Sequence, residues 1–434
     1  MLRASWAAVA AVALAVVAAG PDAGARTVRL DGPGARILEE PDVAVDPGAP
    51  NRVVVVVKDT QGSGDLRIDR FASTDGARTF GRRGRIANAS YGGVPALVSD
   101  PVVDFDGAGH ADFGALAIRF YPDRNRFDSV IGVRRSDDGG ASFGPPAFAV
   151  RDEGPGLPEE ASFPPGVTWN DKDWLATDRA RGVIYVGWNR IRTYFLGQTS
   201  RVAFARSTDG GASFSPMTLL SPAGGVSTGP QLAVRGDGAV EAAWVSAPRP
   251  LPNGDVFVAT SHDVGSTFAA PRRVGHVQGV GRDGYDLASV AATGARSLAC
   301  WGSAGRAYCA RAGGDSWHAP RRVDRRLRAL QDMIAVTADA AGRFWLGMYA
   351  IDRRRGTTVR LYRSADGGRS FRLVRILARR SFAAGGFLRG SGVRTGDYFG
   401  LTAAAGRVTA AYVLPRRGRR PLSNSVYVTT VTDR

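Results

Sequence analysis

The octapeptide Ser136–Phe143, with the sequence Ser-Asp-Asp-Gly-Gly-Ala-Ser-Phe, decides the fold because similar octads recur along the chain. Each octad has Ser-x-Asp, then at least one glycine, and ends in Ser or Thr followed by Phe. The copies are Ser73–Phe80, Ser136–Phe143, Ser207–Phe214, Ser261–Phe268 and Ser364–Phe371, with a degenerate sixth at Ala310–Trp317. A motif repeated in this way indicates an array of similar small structural units.

We predict that each octad is a tight turn between two β-strands. In such a turn the Asp carboxylate accepts backbone N–H groups, and glycine supplies a positive φ. The Phe side chain then fills the gap between neighbouring units.

A second repeated element lies upstream of each octad: a short strand that often opens with Asp, a turn rich in Asp and Gly, and a β-branched or aromatic strand. The seven instances are Asp42–Val57, Asp100–Ile118, Asp173–Trp188, Gln231–Val245, Asp286–Trp301, Asp332–Tyr349 and Asp397–Val413. The last is followed by one more strand, Ser425–Val431, but by no outer strand. Thr27–Leu38 has the pattern of that outer strand, and its pairing there would close a ring without exposed edges.

The octads resemble the Asp-box, or BNR repeat, of the sialidase-like β-propellers over nearly all of the chain. The resemblance implies an all-β fold: a single β-propeller of four-stranded antiparallel blades, closed by the N-terminal strand. Seven upstream elements predict seven blades, and six is the alternative if one hairpin is an insertion. We expect almost no helix, because no segment sustains a 3.6-residue apolar period.

Residues 1–25 have the pattern of a secretory signal, with Arg3, an apolar run from Trp6 to Ala19, and small residues before a cleavage site. We therefore expect a propeller domain over residues 26–434, secreted or extracytoplasmic, monomeric and without a membrane span. An uncleaved anchor is the alternative. The two cysteines, Cys300 and Cys309, flank a short turn, where either a cross-strand disulfide or two buried thiols can occur.

The net charge of +17 raises the question of anionic partners. The basic residues are interpreted as spread along the chain, and only Lys58 and Lys172 are lysines, so most of the charge is attributed to an Arg-rich composition. We expect no nucleic-acid partner. Weak attraction to acidic glycans or anionic cell-wall polymers stays open.

The innermost strand of each blade should bring its first residues to the mouth of the central channel. Those residues are Asp42, Asp100, Asp173, Gln231, Asp286, Asp332 and Asp397. Six acids this close need a compensating charge, which Ca²⁺ or arginines could supply, or else raised pKa values. The structural alternative is that each Asp accepts backbone N–H groups of the next blade.

The family resemblance also implies candidate site residues. Family sialidases hold a substrate carboxylate with three arginines, here Arg36, Arg282 and Arg394. They use a Tyr nucleophile paired with Glu, here Tyr398 or Tyr285 with Glu159 or Glu160, and an Asp acid–base catalyst, here Asp100 or Asp173. Trp174, Asp286, Asp332 and Asp397 complete the predicted ligand-binding set.

Two insertions should approach the same mouth: Asp152–Asn170, which contains Trp169, and Tyr194–Ser200, which contains Phe195.

Three function classes are consistent with these features. The favoured one is an exported propeller that binds an extracellular glycan or a cell-surface partner at the channel mouth, through exposed aromatics. The alternative is a glycoside hydrolase of the exo-sialidase type, for which two carboxylates in an open cleft would be needed. The third is a cation-stabilised scaffold.

Overall fold

A computed structural model describes residues 24–32, 37–60, 66–81, 83–86, 96–156, 163–195, 197–248, 253–279, 287–352, 356–380, 396–416 and 423–432. These residues form β-strands and one short 3₁₀ turn, Pro122–Arg124. The strands fall into successive antiparallel groups, which we number units 1 to 7 in chain order. The expectation of an almost helix-free chain is confirmed for the described residues.

The first strand, β1 (Ala25–Arg29), is followed by three units. Unit 1 contains β2 (Ile37–Val45), β3 (Val53–Thr60), β4 (Leu66–Ser73) and β5 (Gly84–Ile86). Unit 2 contains β6 (Ala96–Phe105), β7 (Ala111–Tyr121), β8 (Arg126–Ser136) and β9 (Ala147–Pro155). Unit 3 contains β10 (Thr168–Asp178), β11 (Val183–Tyr194), β12 (Gly197–Ser207) and β13 (Thr218–Leu219).

Four units follow in the second half of the chain. Unit 4 contains β14 (Val226–Val234), β15 (Val240–Ala247), β16 (Asn253–Ser261) and β17 (Arg272–Gln278). Unit 5 contains β18 (Ser289–Thr293), β19 (Arg296–Ser303), β20 (Arg306–Gly313), β21 (Ser316–Trp317) and β22 (Arg321–Arg322). Unit 6 contains β23 (Leu330–Ala338), β24 (Phe344–Asp352), β25 (Gly356–Ser364) and β26 (Arg372–Arg380). Unit 7 contains β27 (Gly400–Ala404), β28 (Arg407–Pro415) and β29 (Asn424–Thr432).

The first strand of each unit is its innermost one and contacts the first strand of the next unit. Strand β2 also contacts β27, and β1 pairs with β29 from the other end of the chain. A single bridge between Ser200 and Val226 links units 3 and 4. The prediction of an all-β propeller of four-stranded antiparallel sheets is confirmed. The count of seven blades and the closure of the ring stay predictions, with which these pairings are consistent.

The octads form the predicted turns. In all five, the Ser hydroxyl donates to the Asp carboxylate, which also accepts the N–H and hydroxyl of the later Ser or Thr. In the first octad Ala77 replaces the second glycine and still has a φ of +62°. Each octad Phe packs against a core shared with the preceding unit, as predicted.

The hydrophobic core is divided among the interfaces between units. Each cluster of buried side chains combines strands of two neighbouring units. The largest fully buried side chains include a tryptophan on the second strand of units 3 to 6. These are Trp188, Trp244, Trp301 and Trp345. Burial of a side chain of this size contributes several kcal/mol, so each sheet depends on its neighbours for stability.

Cys300 and Cys309 are paired residues on β19 and β20 and are joined by a disulfide. Of the two alternatives that the sequence left open, the cross-strand disulfide is therefore the one observed. Residues 1–23 of the proposed signal segment lie outside the described residues, whereas Gly24 and Ala25 are described and Ala25 begins β1. Within the described part of the chain, no helix has the length and apolarity needed to cross a membrane.

The turn geometry predicts an acid-sensitive contribution to stability. In the second octad, hydrogen bonds from Ser142 and Ser136 lower the pKa of Asp138 from 3.8 to about 2, although partial burial opposes them. Asp138→Ala should lower the free energy of unfolding at pH 7 by about 1 kcal/mol, as loss of a capping side chain does. A carboxylate with a lowered pKa stabilises the fold above the unfolded-state value, so the deficit should vanish as the pH falls from about 4 to about 2.

Urea unfolding of both proteins across this pH range measures the difference. Asp137→Ala is the matched control. It removes the same charge from the same octad, but the exposed Asp137 side chain takes no part in the hydrogen bonds described for the turn. Equal losses in the two variants would show that the octad Asp does not stabilise the turn.

Candidate functional site

A β-bulge interrupts the innermost strand of units 1, 2, 3, 4 and 6 near its start. In each bulge, two residues of the inner strand oppose one residue of the second strand. The first bulge residue has a positive φ, and in units 1, 2, 3 and 6 it is not glycine. These residues are Glu40 (+56°), Asp100 (+54°), Lys172 (+54°) and Met333 (+47°). Non-glycine residues in this region are uncommon and often lie at functional sites.

The bulge corrects the predicted ring of equivalent acids. Asp100 is a first bulge residue and Asp173 a second one, whereas Asp42 follows the bulge and Asp332 precedes it. Because side chains alternate between the faces of a strand, these positions do not point in the same direction. The described inner strands therefore do not present one ring of equivalent carboxylates.

Three carboxylates nevertheless converge at the start of the inner strands. Oxygens of Glu40, Asp100 and Asp397 lie within 4.8 Å of one another. Lys172 and Tyr398 adjoin them, and we call these five residues the mouth cluster. They come from units 1, 2, 3 and 7, so the cluster combines residues that are far apart in sequence. Of the predicted site residues, Asp100, Asp397 and Tyr398 belong to it.

Two ammonium groups compensate the three carboxylates. Lys172 Nζ bonds directly to Asp397 and lies 3.5 Å from Asp100 Oδ1. Lys58 Nζ lies 2.7 Å from Glu40 Oε1 and 3.2 Å from Glu39 Oε2. These are the only two lysines in the chain. An ammonium group is compact and directs three donors at separate acceptors, whereas the planar guanidinium of arginine needs more room.

The pKa values of the carboxylates move in opposite directions. Burial and then the carboxylate of Asp100 raise the pKa of Glu40 to about 7, although Lys58 opposes the shift. Burial also disfavours ionised Asp100, but Lys172 and Lys58 outweigh it and lower its pKa. Burial raises the pKa of Asp171, beside the cluster, to about 6. The two neighbouring carboxyl groups therefore differ in acidity, with Asp100 the stronger acid and Glu40 the weaker.

The aromatic part of the site is formed by Tyr398 and Trp174, whose ring centroids lie 5.7 Å apart. Lys172 Nζ lies 5.8 Å from the Tyr398 ring centroid. The Tyr398 hydroxyl is buried, and its hydrogen bond to the Asp100 carboxylate helps to lower the pKa of Asp100. Burial and then the Asp100 carboxylate raise the pKa of Tyr398 well above 10, so Tyr398 is a neutral phenol. Trp174 is half-buried and reaches the surface.

The other predicted acids serve the fold. Asp42 accepts the N–H of Val103 in unit 2 at 2.9 Å. This contact is of the kind expected if the aspartates accept backbone N–H groups of the next unit. Asp173 of unit 3 is fully buried against unit 2. Its carboxylate packs so closely on Gly114 of unit 2 that a Cβ atom at that glycine would lie only 3.2 Å away. Burial and then the Asp100 carboxylate raise the pKa of Asp173 well above its usual range. Asp332 accepts the N–H of its neighbour Met333.

Several predicted residues lie outside the described part of the chain: Arg36, Arg282, Arg394, Glu159, Glu160, Tyr285 and Asp286. The predicted arginine cluster that would hold a substrate carboxylate therefore stays a prediction. The same is true of the predicted pairing of a tyrosine nucleophile with Glu159 or Glu160.

Sequence reasoning missed Glu40, although a signal for it exists. The second bulge residue is proline in units 1, 2 and 4, at Pro41, Pro101 and Pro230. Proline is tolerated in bulges because it has no N–H to donate to the ladder. Aligning the repeats on these prolines would have placed Glu40 level with Asp100.

The predicted aromatic patch is smaller than expected. Trp169 stacks on Phe163 with ring centroids 4.3 Å apart and packs against the core between units 2 and 3. Tyr194 and Phe195 are exposed at the tip of the β11–β12 hairpin. This tip lies on the same side of unit 3 as the first residue of β10, because Thr168 pairs with Arg192. Trp169 is thus partly buried against the core, and the exposed aromatics Tyr194 and Phe195 lie at a separate hairpin tip.

The fold is a β-propeller, and solved structures share it. It is similar to a GH93 α-L-arabinofuranosidase of Fusarium graminearum in complex with arabinobiose, at 10% identity and a TM-score of 0.53, over 94% of this chain and 97% of that one. It is also similar to a protein of unknown function from Dyadobacter fermentans, at 14% identity and a TM-score of 0.52, over 94% of this chain and 100% of that one.

The Hadza microbial sialidase Hz136 aligns at 15% identity and a TM-score of 0.48, over 85% of this chain and 73% of that one. No family model matches the sequence, and no curated protein matches it. At these identities the likeness shows the fold alone.

The mouth cluster does not fit Ca²⁺, one of the charges considered for the acids. Ca²⁺ takes six to eight oxygen ligands, whereas Lys172 and Lys58 already bind the oxygens of all three clustered carboxylates. We expect the melting temperature to be the same, within about 1 °C, in excess CaCl₂ and in excess EDTA, because binding to the folded state alone would raise it. A chelator-dependent fall, measured by calorimetry, would contradict this.

Lys172 should be essential for stability. Lys172→Met leaves Asp100 and Asp397 without their shared ammonium group, and breaking a buried ion pair from one side costs about 3–5 kcal/mol. Urea unfolding at pH 7 measures the loss. The triple variant Lys172→Met/Asp100→Asn/Asp397→Asn should recover most of it, since the uncompensated charges are also removed. A single variant as stable as the wild type would refute the proposed charge balance.

Proposed function

We propose that this chain is an exported propeller that binds an extracellular glycan at the mouth cluster. The observation that carries the proposal is the half-buried Trp174 ring beside Tyr398 and three clustered carboxylates. Sugars are recognised by aromatic faces that pack on C–H groups and by fixed acceptors for their hydroxyl groups. Asp397, with 15% of its side chain exposed, is the carboxylate of the cluster open to a ligand.

The charge balance of the mouth cluster supports the same proposal. The net charge of the five residues and Lys58 is near zero when Glu40 is protonated, so a neutral sugar meets no strong repulsion. The similar Fusarium structure contains arabinobiose, which makes arabinose oligosaccharides a reasoned first probe.

Binding without catalysis is favoured because lysines already neutralise the carboxylates. Asp100 and Asp397 share Lys172, and Glu40 accepts Lys58, Ser99 and the N–H of Asp100. A carboxylate held by several donors has little freedom to exchange a proton with a substrate.

Titration calorimetry with arabinobiose, arabinan oligosaccharides and a sialyl oligosaccharide tests the proposal. Trp174→Ala should weaken binding about tenfold, equivalent to about 1.4 kcal/mol. Phe195→Ala is the matched control, because it removes an exposed aromatic from the β11–β12 tip and should leave affinity unchanged. Loss of binding in the Phe195→Ala control alone would show that the glycan binds at the β11–β12 tip and not at the mouth cluster. Absence of binding to any of the glycans would overturn the proposal.

Glycoside hydrolysis is the second candidate function. Its support is the pair Glu40 and Asp100, whose pKa values are moved apart, as in acid–base pairs of glycosidases. Their oxygens lie within 4.8 Å, near the separation of about 5–5.5 Å used by retaining enzymes. In that case Glu40 would be the proton donor and Asp100 the ionised partner.

Fluorogenic α-L-arabinofuranoside and sialoside substrates distinguish the two candidates. If turnover is seen, Glu40→Gln and Asp100→Asn should each lower kcat at least about a hundredfold. The rate should fall above about pH 7, where Glu40 loses its proton. Turnover that survives both substitutions would exclude this pair as the catalytic machinery.

Export remains part of the proposal and rests on the N-terminal signal pattern. N-terminal sequencing of protein recovered from culture medium should find the chain beginning near residue 26. A full-length chain retained in the membrane fraction would favour the uncleaved anchor.

A further inference from the structure

Most of the net charge lies in one sector of the molecule. Residues 296–380 contain 19 arginines and six aspartates, with no lysine or glutamate. Their local net charge of +13 accounts for most of the +17 of the whole chain. The interpretation that the basic residues are evenly spread is therefore wrong. This stretch forms nearly all of units 5 and 6, which are neighbours.

Many of these arginines lie on the outer segments of the two units. In unit 5 they occupy β22 and the turn that follows it, and in unit 6 they occupy β26, the outermost strand. Those in the exposed class are Arg321, Arg325, Arg326, Arg328, Arg369, Arg372 and Arg379. We call this set the outer basic face.

Direct contacts join the two outer segments. The Tyr362 hydroxyl on β25 donates to Asp324 Oδ2 at 2.9 Å, across the interface between the units. Val323 and Leu327 of the unit 5 segment share one core cluster with Tyr362 and Phe371 of unit 6. The outer basic face is therefore continuous from one unit to the next.

Three of the six aspartates in this sector are held by local structure, and Asp315 binds Arg235 and His262 of unit 4. Asp324 accepts the N–H groups of Arg326 and Leu327 besides the Tyr362 hydroxyl. Asp366 is bound within its octad, and Asp339 accepts Arg343. Arg363 and Arg372 are direct partners across β25 and β26. Like charges directly opposite each other are unfavourable, so this pairing shows how densely arginines are placed on the two strands.

Protection of an exposed edge strand does not explain this composition. Charged residues on an outer strand discourage pairing with other molecules, but charges of either sign do so. The outer strand β9 of unit 2 carries Arg151, Asp152 and Glu153, and Arg151 bonds to Glu153 at 2.7 Å. The described residues of β26 contain arginines and no acid. Exposed charge that is predominantly positive over two neighbouring units points to an anionic partner.

We propose that the outer basic face binds an acidic polysaccharide, separately from the mouth cluster. Guanidinium groups bind carboxylate and sulfate groups through paired hydrogen bonds. Single-stranded nucleic acid would need aromatic side chains on which bases stack. The large hydrophobic side chains exposed in the described residues are Tyr194, Phe195 and Leu373, so this face offers no aromatic platform.

Binding of the purified chain to immobilised polygalacturonate tests the proposal, with single-stranded and duplex DNA as comparison probes. Affinity for polygalacturonate should fall with added NaCl, because exposed charges are screened. The variant Arg321→Gln/Arg325→Gln/Arg326→Gln/Arg372→Gln should raise Kd at least about tenfold, equivalent to about 1.4 kcal/mol. Its melting temperature checks that it folds.

The matched control is Arg78→Gln/Arg85→Gln/Arg124→Gln/Arg179→Gln, which removes four exposed arginines from units 1 to 3. It changes the net charge equally and should alter Kd less than about twofold, because the described inner strands of units 1 to 3 do not pack against those of units 5 and 6. Equal losses in both variants, no binding to polygalacturonate, or tighter binding of DNA through the same arginines would each overturn the proposal. Trp174→Ala should leave polygalacturonate binding intact, which separates this face from the mouth cluster.

Discussion

Each sheet of this protein buries its two faces only against the neighbouring sheets. Every core cluster belongs to two units at once, and no described unit has a core of its own. Burial of apolar area is the dominant favourable contribution to folding, so the arrangement of the units is fixed by shared interfaces. The same interfaces hold the inner strands side by side. As a result Glu40, near the start of the chain, lies beside Gly396 near its end.

The mouth cluster depends on charge balance. Its carboxylates are buried, and buried charges are costly unless they are paired. The chain has two lysines among 57 basic residues, and both bind these carboxylates. Elsewhere arginine supplies the positive charge, on octad turns and on the outer basic face. The contrast indicates that the mouth requires a compact cation, whereas the surface tolerates the larger guanidinium group.

The repeated features of the fold could be predicted from the sequence because they are local. The octad turn depends on residues within eight positions of one another, and five copies leave little ambiguity. The disulfide was one of two alternatives, since strand pairing had to be known before Cys300 could be placed opposite Cys309. The ring of acids was predicted incorrectly because a β-bulge changes the register by one residue. Pro41, Pro101 and Pro230 mark that bulge, whereas the repeated aspartates occupy different positions around it.

The sequence by itself determined the propeller class, the octad turns and the presence of acids near the starts of the inner strands. These features arise from short-range hydrogen bonding and from the two-residue period of β-strands. Tertiary structure alone decided which acids meet, because Asp100 and Asp397 belong to different units and are joined by a lysine from a third. It also decided that Asp42 and Asp173 serve the packing between units. Register and the closeness of distant strands are properties of the assembled sheets, and no single segment encodes them.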